Sequence, residues 1–295
     1  MISDNKYFLS EKKPALDMRK VDQTLRHALI EDIGKGDITT QLTIPKDKET
    51  EAVLVAKEDL IACGMEIAER VFKIVDSSVK FEPLAKEGRP VKKGKTIARI
   101  KGNAASILTA ERTALNLLSM LCGIASRTRE FVKEIEPLKT KITDTRKTFP
   151  GLRELQKYAV RVGGGFNHRM GLDEMILIKD NHIQVTEGYE KLPSVPKGFK
   201  IEIEVQNLQE FKHALYFKPN VIMLDNMSVD DIKEAVEIRN NTEFKSHHLP
   251  TKLEASGGVT LESVKKVAAT GVDIISVGEL THSVKAADIS LDIVG

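Results

Sequence analysis

Six short apolar runs in the second half of this 295-residue chain finish at or near a residue that can do chemistry: Asp144, Lys179, Glu204, Asp225, Ser256 and Gly278. Glu204 and Asp225 close consecutive runs. Paired carboxylates beside basic groups suit Mg²⁺, which is held by one or two carboxylates plus substrate phosphates. A salt bridge from Lys179 is the plainer alternative. A general acid/base pair fits less well, because nearby cations keep both acids ionised. Ser256-Gly257-Gly258 and Ser276-Val277-Gly278 close the last two runs. Glycine admits a phosphate close to the backbone, where N–H groups can cradle it.

Between Lys139 and His182 nine lysines and arginines face five acids. Arg146-Lys147 follow an apolar run directly, and His168-Arg169 follow Gly163-Gly164-Gly165. The arginine fork matches carboxylate and phosphate geometry, so this local excess predicts a small polyanionic substrate. Lys157 and Arg161 lie on a helical pattern and are expected on its solvated face. His27, His213, His247 and His248 are expected at the surface, and His182, three residues after Lys179, is expected to orient its neighbours. Cys63 and Cys122 lack a second ligand at metal spacing and sit among apolar residues, which predicts buried free thiols.

These groups need a frame. Val21, Leu25 and Leu29 recur every four residues between Asp17 and Gly34, the pattern of a capped amphipathic helix. Strand-like pieces follow at 52–56, 79–81 and 96–100, with a helical stretch through Ile67, Val71 and Ile74. A longer helix carries Ile107, Leu108, Leu115, Leu118, Leu121 and Cys122 on one face, and a break is expected near Gly123. After about residue 140 the rhythm changes. Apolar strands at 141–144, 175–179, 201–205, 221–225, 253–256 and 274–278 alternate with helical patterns at 152–160, 208–215, 229–238 and 261–269. Alternating βα units with near-continuous apolar strands predict a parallel sheet with helices outside it. The C-terminal strand ends of a closed βα barrel converge on one mouth, which would gather all six strand-end residues.

Composition narrows the function. Lysine and arginine total 45 against 43 acids, aromatics are 5% and tryptophan is absent, a poor match to a nucleic-acid binder. No apolar run exceeds the five residues of 52–56, far short of the ~20 of a membrane span. The first twenty residues mix charges and contain no apolar signal core. A cytoplasmic α/β protein of about two domains is expected.

Several segments together resemble one family. They are Glu111-Arg112-Thr113-Ala114-Leu115-Asn116, Asp144-Thr145-Arg146-Lys147-Thr148, Gly163-Gly164-Gly165-Phe166-Asn167-His168-Arg169, Leu177-Ile178-Lys179-Asp180-Asn181-His182, Met223-Leu224-Asp225-Asn226, Leu253-Glu254-Ala255-Ser256-Gly257-Gly258 and Leu280-Thr281-His282-Ser283. With Glu31-Asp32-Ile33-Gly34 and Gly36-Asp37-Ile38-Thr39, they are similar in order and content to the quinolinate phosphoribosyltransferases, the carboxylating nicotinate-nucleotide pyrophosphorylases. The resemblance spans nearly the whole chain. Isoleucine at 201 and 203 and a longer 240–252 segment depart from the family pattern.

The resemblance implies an N-terminal α/β sandwich over 1–125, rejoined by a final strand within 284–295, and an incomplete TIM-like α/β barrel over 126–283. It implies a Mg²⁺-dependent transfer from phosphoribosyl pyrophosphate to quinolinate in de novo NAD biosynthesis, with release of pyrophosphate and CO₂. Arg146, Lys147, His168, Arg169 and Lys179 would clamp quinolinate. Arg112 would be donated by the neighbouring subunit of a homodimer or hexamer. Glu204 and Asp225 would hold Mg²⁺, directly or through water or pyrophosphate. Ser256, Gly257, Gly258 and Gly278 would hold the 5-phosphate, and Lys147, Lys179, Glu204 and Asp225 would be the catalytic set. A nicotinate-specific relative would need fewer cations. A non-catalytic anion-binding homologue would have lost the clamp or the acid pair, and a mere scaffold would not cluster charges at strand ends.

Overall fold

The computed structural model describes residues 16–187, 198–241 and 251–294. His247, His248 and most of the 240–252 segment lie outside the described residues. Contacts divide the chain into two compact units, Lys13–Arg129 with Thr148–Gly164 and Leu280–Gly295, and Glu130–Lys147 with Gly165–Glu279.

In the first unit, α1 (Met18–Ile33) buries Val21, Leu25 and Leu29, the one-face spacing seen in the sequence. The Asp17 carboxylate caps it by accepting from Arg19 N–H, and Gly34 ends it at φ 54°. A short helix, α2 (Ile38–Thr43), is capped by Asp37. An antiparallel sheet follows, built from β1 (Glu49–Ala56), β3 (Lys80–Pro83), β5 (Thr96–Asn103) and β12 (Ile289–Ile293) in the order β12-β1-β5-β3. Ala52, Leu54 and Ala56 alternate inward along β1. The chain end returns to this sheet, with Ala52 opposite Ile293 and Ala56 opposite Ile289. β2 (Leu60–Ile61) and β4 (Pro90–Val91) form a separate pair. α3 (Met65–Val75) buries Ile67, Val71 and Phe72, and the Phe72 ring stands 5.9 Å from that of Phe81 on β3.

The long helix α4 (Ala104–Glu134) runs through Gly123, where a break was expected. The glycine has a packing role instead. A Cβ there would stand 2.1 Å from the carbonyl oxygen of Lys285, so only glycine lets the returning chain lie against the helix. By length and hydropathy α4 could cross a bilayer, but 61% of its most apolar stretch is buried inside the fold. It is the core helix of its unit, with Ile107, Leu118, Leu121 and Cys122 almost wholly covered.

α5 (Arg153–Gly163) belongs to the same unit and corrects the expectation for Lys157 and Arg161. Both are buried, at 1% and 8% exposure. Eight of its eleven residues are buried, so the helix is covered on nearly every side and has little solvated face.

The second unit is the βα-alternating half. β6 (Lys141–Thr143), β7 (Ile176–Ile178), β8 (Ile201–Val205), β9 (Val221–Asp225), β10 (Lys252–Ser256) and β11 (Ile274–Ser276) form one parallel sheet in the order β6-β11-β10-β9-β8-β7. Helices α6 (Asp180–Thr186), α7 (Leu208–Tyr216), α8 (Val229–Asn241) and α9 (Leu261–Ala268) are interspersed along the chain. Among the described residues no pairing joins β6 to β7, so the barrel is incomplete. The open edge of β6 is met by Phe166, whose N–H donates to Ile142 O at 2.8 Å while its carbonyl accepts from Asp144 N–H at 3.1 Å. That bridge sets the three residues after Phe166 beside the end of β6.

Candidate active site

Every strand of the parallel sheet delivers a polar group at its C-terminal end. Glu204 pairs with Met223 in register, and Ser256 with Asp225, so acid, acid and hydroxyl stand at the ends of three adjacent strands. Lys179, which caps α6, reaches Glu204 Oε2 with its ammonium. Glu204 is 7% exposed, so this ion pair is partly sheltered. His182 does orient its neighbour: its Nδ1 accepts from Lys179 N–H at 3.0 Å.

Asp225 is steadied by the next residue, whose Nδ2 donates to Asp225 Oδ2 at 2.9 Å. Asn226 holds φ 54° and its N–H donates to Ser256 O at 2.8 Å, tying the end of β9 to that of β10. Gly257 and Gly258 continue at φ 91° and 61°, a left-handed turn that suits glycine. Gly278 follows Val277, whose N–H donates to Thr143 O at 2.9 Å.

The basic side is built on β6 and the segment it captures. Asp144, fully buried, accepts from His168 N–H at 2.9 Å and from Asn167 Nδ2 at 2.5 Å. Arg169 follows. Its Nη1 donates to Met175 O at 2.9 Å and its buried Nε meets no partner. Burial and then the charge of Arg146 lower the affinity of this guanidinium for its proton, so two arginines lie within electrostatic reach of each other. Two such cations repel until an anion comes between them. Lys147 is exposed, and its N–H donates to Thr145 Oγ1 at 3.0 Å. The layout is two neighbouring guanidiniums, flanking lysines and two carboxylates, with Arg146, Lys179, Glu204 and Asp225 at or just after the C-terminal ends of their strands.

Arg112 lies on α4 in the first unit, exposed, 3.8 Å from Glu111. His168 is placed differently from the other basic residues. It is 4% exposed, and both ring nitrogens are engaged by protein: Nδ1 accepts from Arg169 N–H at 2.8 Å and Nε2 lies 2.9 Å from Glu202 Oε2.

Comparison with known families decides what this arrangement belongs to. Residues 37–122 match the N-terminal domain of quinolinate phosphoribosyl transferase, and residues 124–292 match its C-terminal domain. The chain belongs to the quinolinate phosphoribosyltransferase family. It is 42% identical over 304 aligned positions to the nicotinate-nucleotide pyrophosphorylase [carboxylating] of Arabidopsis thaliana, covering 95% of this chain and 84% of that one. It is 42% identical over 309 positions to a quinolinate phosphoribosyltransferase [decarboxylating] of Nicotiana glauca, covering 97% and 85%. Its fold superposes on the nicotinate-nucleotide pyrophosphorylase structure from Francisella tularensis with a TM-score of 0.87, at 41% identity over 96% of this chain and 99% of that one.

Within this family frame, four polar residues near the strand ends carry no role from the sequence reading: Asn167, Glu202, Asn226 and Glu254. Glu202 and Glu254 had a readable signal. Each stands two residues before a site residue on its strand, and a strand repeats its face every second residue. Asn226 and Asn167 act through side-chain hydrogen bonds that no spacing predicts.

Proposed function

We propose that the chain joins quinolinate to phosphoribosyl pyrophosphate, giving nicotinate mononucleotide, pyrophosphate and CO₂. The observation that carries the reading is the Arg146–Arg169 pair, two cations held close with one buried Nε still lacking an acceptor. A planar dicarboxylate supplies two adjacent anions to such a pair. Lys147 and Lys179 add charge at the rim, and Lys179 exchanges part of its pairing with Glu204 for substrate.

The bond changes follow from the placement. With its carboxylates held, the quinolinate ring nitrogen faces the anomeric carbon of the ribose. Fixing that approach replaces a chance encounter with a positioned one. The nitrogen lone pair forms the N–C bond as the C–O bond to pyrophosphate breaks and takes its electrons to the leaving group. The ring nitrogen is then cationic. Its charge stabilises the electron pair left on the adjacent carbon when the C–C bond to the carboxylate breaks and CO₂ departs, and that pair takes up a solvent proton. Ser256 offers a hydroxyl, and Gly257, Gly258 and Gly278 offer backbone unshielded by side chains, for the 5-phosphate.

Glu204 and Asp225 fit Mg²⁺ in kind, being hard carboxylate oxygens on adjacent strands with Asp225 oriented by Asn226. Bound there, directly or through water or pyrophosphate, the ion would neutralise charge on the departing pyrophosphate. We assign Arg112 to the site of a neighbouring subunit in a homodimer or hexamer, on the strength of its exposure and of its place in the family motif. The assay is direct: purified protein with quinolinate, phosphoribosyl pyrophosphate and Mg²⁺ yields nicotinate mononucleotide and CO₂. Neither product above a boiled control refutes the reading.

A further inference from the structure

Glu202 and Glu254 face the barrel interior one layer below Glu204 and Ser256. Both are completely buried. Glu202 Oε1 and both oxygens of Glu254 meet no hydrogen-bond partner. His168 Nε2 lies 2.9 Å from Glu202 Oε2 and 3.7 Å from Glu254 Oε1, and one ligating atom from each residue falls within 4.8 Å of the others.

A histidine between two carboxylates is a donor set that metals use. The ring's other nitrogen argues against one here. Arg169 N–H donates to Nδ1, so Nδ1 keeps its lone pair and the proton of the neutral ring sits on Nε2. A protonated Nε2 donates to Glu202 and has nothing to offer a cation. An imidazolium is disfavoured by the same contact, since a proton on Nδ1 would face the Arg169 amide proton. Two ionised carboxylates beside a neutral ring would then bury uncompensated charge. Glu254, with no donor on either oxygen, is the one that geometry leaves holding a proton. Burial, reinforced by the charge of Glu202, pushes its carboxyl the same way, to about 8. The charge of Asp144 also pushes it upward.

We propose that His168 is a positioning residue, locked as the neutral Nε2–H tautomer between the Arg169 amide and Glu202, and that Glu254 beneath it is held as the neutral acid, so that this layer aims Arg169 without cancelling its positive charge. The part concerning Arg169 rests on the phosphoribosyl-transfer reading; the tautomer and the neutral acid do not. Ionising Glu254 would add a negative charge beneath the clamp and weaken its hold on a dianion. The groups facing Glu254 are Glu202, His168, Asp144 and Ser276.

Full-length protein labelled with ¹³C,¹⁵N-histidine tests the first part, with His168→Asn assigning the signal. His168 is expected to stay neutral and protonated on Nε2 between about pH 6 and pH 8. An imidazolium at His168, or a proton on Nδ1, overturns the proposal. Kinetics test the second part. From about pH 7 to pH 9 the wild-type KM for quinolinate should rise about fivefold and that of Glu254→Gln less than about twofold, with the KM for phosphoribosyl pyrophosphate following one curve in both. Superimposable quinolinate profiles overturn the role of Glu254. A wild type that makes no nicotinate mononucleotide refutes the proposed function instead, and the histidine spectrum still decides the tautomer.

Discussion

Substituting Gly257 by alanine tests the phosphate-binding role proposed for this end of the site. Gly257 stands at φ 91°, and a Cβ there would meet Asn226 Oδ1 at 2.2 Å, Cγ at 2.5 Å and Nδ2 at 2.9 Å. Asparagine is short, so no far end can swing aside and the whole amide must leave. The left-handed backbone costs an alanine about 1–2 kcal/mol. Losing the Asn226–Asp225 hydrogen bond adds about 1 kcal/mol. Gly257→Ala should therefore destabilise the protein by roughly 2–3 kcal/mol, read as the urea midpoint by circular dichroism. The KM for phosphoribosyl pyrophosphate should rise about tenfold as Asp225 loses its orientation, more than that for quinolinate. A double-mutant cycle isolates the clash. In Asn226→Gly the three atoms nearest the added Cβ are gone, and the Asp225 hydrogen bond is lost once rather than twice, so the double variant should cost about 1 kcal/mol less than the two single costs combined. Strict additivity, or an unchanged KM for phosphoribosyl pyrophosphate in Gly257→Ala, refutes the reasoning.

Three further outcomes are expected. Burial raises the Glu254 carboxyl, so the folded protein keeps a proton that the unfolded chain releases in the ordinary carboxylate range. Stability then falls as pH rises from that range through the raised value, and Glu254→Gln escapes the fall. Its advantage in urea should grow by about 2 kcal/mol between about pH 6 and pH 8, and a constant gap would refute the neutral acid. Burial pushes the Cys122 thiol up to about 12, so iodoacetamide at about pH 8 should leave it unmodified until urea unfolds the chain, as mass spectrometry would show. Mixing Arg112→Ala with Glu204→Ala under conditions of subunit exchange should restore about a quarter of wild-type activity if each dimer site draws Arg112 from its partner. No restoration, with exchange demonstrated, removes that assignment.

The strands were legible because burial on both faces leaves a near-continuous apolar run, as in Val221–Asp225 and Ile274–Ser276. The helix around Val21, Leu25 and Leu29 was legible because one face is buried and the caps are local. What failed was non-local. Gly123 has a helix-breaking residue type, and only the return of the chain near Lys285 explains why it sits inside α4. Lys157 and Arg161 carry charge on a helical pattern that normally marks solvent, yet α5 is covered nearly all round. No local spacing encodes either fact.

The site divides along the same line. Groups that stand at strand ends were readable one by one, because the strand itself announces where its end lies. The layer beneath them was not, although Ile201-Glu202-Ile203-Glu204 alternates in plain view. An acid two residues before a site acid shares its face, and which way that face turns depends on how the strands assemble, so topology must come first. Once the strands run parallel in the order β6-β11-β10-β9-β8-β7, Glu202 and Glu254 turn inward with Glu204 and Ser256. Their burial then forces a decision on charge that the rim residues, open to water, never face. The chemistry at the mouth depends on that decision, because a clamp for a dianion holds only while the layer below it stays short of negative charge.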